Sequence, residues 1–126
     1  MIKLSYDNVL FIHDMLYRKT HGMDGIRSES LLDSAINAPF QTFDGLYIYK
    51  DILEIASRLC YNLIKNHPFF DGNKRLGVLS MLTFLKLNNI NHELTNSDII
   101  NIGINLASST WDYQNVLLLL KEKCKL

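Results

Sequence analysis

Apolar residues recur three or four positions apart along most of this chain, the period of helices that bury one face. Ser5 is placed to cap a first helix running to about Lys19, with Val9, Ile12, His13 and Leu16 on one side. Thr20-His21-Gly22 stops that helix, and Gly22 with Gly25 marks a loop. Ser28 then caps a short helix carrying Leu31, Leu32, Ala35 and Ile36, which Ala38-Pro39 ends because the residue before proline is pushed out of the α region. Asp51 opens a helix with a wide apolar stripe (Ile52, Ile55, Ala56, Leu59, Cys60, Leu63, Ile64), the mark of a central element, which runs to Asn66-His67-Pro68. Leu76 to Leu87 is apolar nearly all round and belongs in the middle of a bundle; Asn88-Asn89 closes it. Thr95 and Asp98 form a capped start for a helix from about Asn96 to Ala107. A last helix spans roughly Asp112 to Lys123, with Val116, Leu117, Leu119 and Leu120. Only Phe40 to Tyr49 breaks the period. Its aromatics favour extended structure and Asp44-Gly45 is a turn signal, so it reads either as a small hairpin flap or as an aromatic surface loop. The expected fold is all-α, one domain over residues 1–126, with about six helices.

Composition narrows the setting. Apolar residues make up 48 % of 126, enough for one substantial core. Thirteen basic and thirteen acidic side chains cancel, so nothing draws the whole chain to nucleic acid or an anionic membrane. Cys60 and Cys124 form neither a metal-ligand pattern nor a disulfide framework, and Cys60 falls on an apolar stripe as a core residue. The N-terminus interrupts its apolar run with Asp7, Asn8, His13 and Asp14, unlike a signal peptide, and no run is long enough to span a bilayer. The expected location is the cytoplasm.

The chemistry concentrates in His67-Pro68-Phe69-Phe70-Asp71-Gly72-Asn73-Lys74-Arg75, a polar loop between two helices. A helix N-terminus offers unpaired N–H groups and a partial positive charge, and Gly72 lets the backbone approach a ligand closely. Lys74 and Arg75 stand at that same end, where they oppose their own helix dipole; a phosphate group is the natural occupant. His67 is of the type that serves as general base near neutral pH, and Asp71 can ligate Mg²⁺ or orient a proton. One of the two phenylalanine rings, turned inward, would anchor the loop. The spacing lacks a second His or Glu for a zinc protease, and GxxxxGK[ST] is absent. His13, on an apolar face, is more commonly a satisfied core histidine than a ligand. Spacing alone points to anion binding without naming the reaction.

These nine residues resemble the Fic-domain motif HxFx(D/E)GNxRxxR, and lysine after Gly-Asn resembles the death-on-curing (Doc) branch. His13-Asp14, Gly22, Gly25, Arg27 and Leu31-Leu32-Asp33-Ser34-Ala35 through Pro39 are similar to the same branch. The resemblance implies a compact Fic/Doc helical bundle with His67 as catalytic base and Asp71 at the Mg²⁺ position. Gly72 and Asn73 would form the anion-cradling turn, Arg75 the phosphate-binding arginine and Phe69 the buried aromatic. Two positions depart: Lys74 replaces the glycine of most adenylyl-transferring members, and the final arginine falls at Val78. Both are compatible with a reversed nucleotide whose γ-phosphate faces His67, with Lys74 joining the phosphate ligands.

The resemblance thus implies a type II toxin acting as a protein Ser/Thr kinase. It would use ATP and Mg²⁺ on a target that is a translation elongation factor. Adenylyl transfer by the same loop is the alternative; an inert antitoxin-binding corepressor is the alternative of another class. Many relatives carry an inhibitory [S/T]xxxE[G/N] helix, but Glu29, Glu54, Glu93 and Glu122 are not followed by Gly or Asn. Inhibition is therefore expected in trans, by a small antitoxin through which alone the chain would meet DNA, with no membrane partner. The flap, through Phe43, Gly45 and Tyr47, is the expected edge on which an extended target segment docks.

Overall fold

The computed structural model describes residues 1–20 and 25–126, so the expected His21-Gly22 loop lies outside the described residues. Six helices account for most of them: α1 (Tyr6–Thr20), α2 (Glu29–Asn37), α3 (Ile52–Asn66), α4 (Asn73–Leu87), α5 (Asn96–Ala107) and α6 (Tyr113–Lys123). Local side-chain signals set their starts. Ser5 and Asn8 exchange reciprocal bonds at 3.1 Å ahead of α1. Ser28 Oγ accepts from Leu31 N, and Asp51 accepts from Leu53 N. Thr95 and Asp98 close a capping box on α5, and Asp112 with Asn115 closes another on α6. Ala38, expected to leave the α region ahead of Pro39, keeps right-handed helical angles (φ −55°, ψ −40°), and α2 gives way instead to a short 3₁₀ segment, Ala38–Phe40.

The open choice over residues 40–49 resolves as a hairpin. β1 (Thr42–Phe43) pairs antiparallel with β2 (Leu46–Tyr47), Thr42 opposite Tyr47 and Phe43 opposite Leu46. Asp44 and Gly45 both take positive φ (54° and 77°), as a two-residue type I′ turn demands. A second small sheet has no counterpart in the sequence reading: β3 (Asn91–His92) pairs with β4 (Cys124–Lys125). Neither segment alternates enough apolar residues to announce a strand.

Helix α3 is the hub, packed against α2, α4, α5 and α6. Its residues Leu53, Ile55, Ala56, Leu59, Cys60, Leu63 and Ile64 are buried, and burial pushes the Cys60 thiol up, leaving it a small core side chain. Helix α4 packs on α1, α3 and α5 but keeps a solvent edge, with Leu79 and Leu87 more than a third exposed. Its near-uniform apolarity overstated its burial because α3 already occupies the centre. The two helices approach closely at Gly77, where a Cβ would stand 2.6 Å from Ile64 Cγ1 and 3.0 Å from the Cys60 carbonyl oxygen. Alanine at this helix position gains about 1 kcal/mol of propensity. Overpacking against backbone costs about 1–3 kcal/mol and outweighs that gain, so Gly77→Ala should lower the urea midpoint, with a net loss of up to about 2 kcal/mol. An unchanged or higher midpoint would show that the helices separate freely here.

Candidate functional site

The polar loop is built between two left-handed residues. His67 ends α3 with φ 49° and ψ 54°, and Gly72 precedes α4 with φ 81° and ψ 10°. Between them Phe69 turns inward and is buried, while Phe70 stays half exposed. Asn73 locks this turn from the first residue of α4. Its Nδ2 donates to the Phe69 carbonyl and its Oδ1 accepts from Phe69 N, each at 3.0 Å. His13 of α1 stacks on the Phe69 ring, centroids 3.7 Å apart, and its Nε2 lies 2.9 Å from the Asp71 carbonyl oxygen. A carbonyl only accepts, so His13 Nε2 carries the proton. His13 is thus a buried, satisfied histidine, and what it satisfies is the loop. Asp71 Oδ1 accepts from Gly72 N at 2.8 Å.

A segment from the N-terminal third straps the loop from the other side. Arg27 N and Ser28 N both donate to the Pro68 carbonyl (2.7 and 3.0 Å), and Phe70 N donates to the Gly25 carbonyl (3.3 Å). The Arg27 guanidinium donates to the carbonyls of His67 (2.7 Å) and Asn66 (2.9 Å). Cationic donors at a helix C-terminus satisfy orphan carbonyls and match the dipole.

The result is a cleft of about 690 Å³ lined by every residue the loop reading singled out: His67, Asp71, Gly72, Asn73, Lys74 and Arg75. Their contributions differ. The Asn73 side chain is fully engaged with Phe69, so its main-chain N–H is what it offers an anion. Lys74 and Arg75 are exposed at the α4 N-terminus. The hairpin residues Phe43, Gly45 and Tyr47 do not line this cleft. Two lining residues escaped the sequence reading. Tyr17 comes from α1, and Lys65 from the last turn of α3, where its Nζ donates to Ser109 Oγ. Lys65 lies two residues before His67, a spacing with no distinctive pattern. Among the described residues no carboxylate pairs with Lys65, Lys74 or Arg75; the ion pairs there are Asp14–Arg18, Glu54–Arg58, Asp51–Lys121 and Glu93–Lys125. Val78 is buried on α4 and does not line the cleft. Among the described residues no three His, Cys, Asp or Glu side chains gather as a metal cluster. One carboxylate, Asp71, in a cleft that also holds Lys74 and Arg75 is a donor set compatible with Mg²⁺, which takes one or two protein carboxylates and completes its shell with phosphates and water.

A bundle organised around a central helix, with this histidine loop joining it to the next, defines a class. The Fic/DOC family model matches residues 3–85, well over half of the chain, and the chain belongs to that family. It is also similar to the Toxin Doc of Mycolicibacterium smegmatis, 35 % identical over 65 residues, which are 52 % of this chain and 50 % of that protein. The match thus spans about half the length of this curated relative. Among the described residues no helix is long and apolar enough to cross a membrane.

Proposed function

We propose that this chain is a Doc-like toxin, a single Fic/Doc domain that transfers the γ-phosphoryl group of ATP to a Ser or Thr hydroxyl of a target protein. In this reading His67 takes the hydroxyl proton as the oxygen attacks phosphorus, and ADP leaves. Lys74, Arg75 and the free N–H groups of the α4 N-terminus hold the phosphates, work that is mostly positioning and charge neutralisation. Asp71 would hold Mg²⁺, which supplies further neutralisation of the triphosphate. The observation that carries the reading is the distribution of cations: Lys74 stands beside the glycine turn, while the motif's final arginine position is Val78, buried and outside the cleft. The positive charge therefore stays in the cleft that His67 also lines, where this reading puts the γ-phosphate.

The target in this reading is a translation elongation factor, and translation arrest in the cytoplasm is the outcome. The relative's name, Toxin Doc, supports the toxin reading and a small antitoxin acting in trans. The hairpin, with Phe43 79 % and Leu46 67 % exposed, offers an apolar strand edge to an extended target segment. Incubation with ATP labelled at the γ- or the α-phosphate decides the reaction. Label should reach protein from the γ position only. Label from the α position would replace the kinase reading with adenylyl transfer, and no label from either, with no growth arrest on expression, would leave the inert binding module.

A further inference from the structure

We propose that Arg27 is a positioning residue for His67, acting through the main chain. His67 sits in the left-handed region, which a non-glycine residue keeps only when its surroundings impose it. The only side chain among the described residues that bonds to both carbonyls flanking the His67 Cα is Arg27, through Nε to His67 (2.7 Å) and Nη2 to Asn66 (2.9 Å). A planar guanidinium fork fixes the direction of both carbonyls at once, which neither a lysine nor a neutral amide of similar length can do. With both carbonyls fixed, the ψ of Asn66 and the φ and ψ of His67 are fixed, and so is the direction in which the imidazole leaves the backbone. Without the fork, the carbonyls turn to water and the residue relaxes toward the commoner right-handed or extended regions.

The rest of the loop does not depend on that fork. The Phe69 turn is held by Asn73, and the Asp71 carbonyl by His13. The main-chain bonds of Arg27 and Ser28 to Pro68 need no particular side chain at Arg27. Removing the guanidinium should therefore move the base and leave the phosphate cradle in place. The inference rests on the reading of His67 as the base, and its test separates the two. In Arg27→Gln the transfer rate at saturating ATP should fall about 10- to 100-fold, the loss expected from a misplacement of around 1 Å. KM for ATP should stay within about twofold, and Arg27→Lys should recover only part of the rate. In long-range ¹H–¹⁵N spectra, the His67 imidazole signals, assigned by their loss in His67→Asn, should shift or broaden while those of His13 and His92 hold. Unmoved His67 signals would overturn the proposal whatever the rate; so would an equal loss of ATP binding, or a lower melting temperature with the rate per folded molecule intact. If the parent protein transfers neither label, the proposed function fails and the imidazole spectra alone decide the role of Arg27.

Discussion

His67→Asn should reduce phosphoryl transfer by about 10²- to 10⁴-fold, the range that a general base contributes, and leave the melting temperature close to the parent's. Asparagine is the better probe because of the backbone. His67 has φ 49°, a region that Asn tolerates and Ala does not. Alanine would keep the Cβ clash that His67 already bears there while losing the polar side chain that favours the region, and so blur a chemical loss with a structural one. The imidazole is exposed, and only the His67 carbonyl, not its ring, engages Arg27, so asparagine removes the base without removing a contact. Transfer of γ-label and the thermal midpoint are the two measurements. Transfer within tenfold of the parent would take the base role away from His67.

The second large effect is on stability. Asn73→Ala leaves the N–H and the carbonyl of Phe69 without partners at a residue that is 2 % exposed. Each stranded buried group costs about 1–3 kcal/mol, so urea unfolding should show a loss of about 2–4 kcal/mol, with nucleotide binding weakened in parallel. Asn73→Asp sharpens the point. It keeps the shape and the acceptor but sets a carboxylate oxygen against the Phe69 carbonyl, where the native amide donates at 3.0 Å. It should be at least as destabilising as alanine. A loss below about 1 kcal/mol for both variants would mean that water enters and replaces the amide.

Helix starts were legible because their signals are local. Ser28, Asp51 and the Thr95–Asp98 pair act within three residues of themselves, and the sequence displays that spacing directly. The hairpin was half legible: Asp44-Gly45 announces a turn, but only pairing separates a hairpin from a loop. The β3–β4 pair was not legible, since its partners lie at distant points of the chain and neither has a strand's composition. Within the site, the residues at the cleft and the buried Phe69 were read from the motif, while the long-range contacts that support them were not. Arg27 entered only as part of a family pattern and His13 only as a core histidine. Their roles depend on contacts 40 and 58 residues away, which no local spacing encodes. Lys65 was missed for the same reason, its partner Ser109 lying on a separate turn.

Those separations give the site an order of assembly. The Asn73–Phe69 clamp spans 4 residues and can close as α3 and α4 pack together. The Arg27 and His13 contacts span 40 and 58, and each doubling of a closed loop adds about 0.6 kcal/mol of entropy. They form only once the first third of the chain has docked on the α3–α4 pair. A chain caught before that step carries the whole nine-residue motif and its inner clamp, yet has neither the fork that sets His67 nor the ring that backs Phe69. The polar residues of the motif line the cleft, and the N-terminal third sets their geometry.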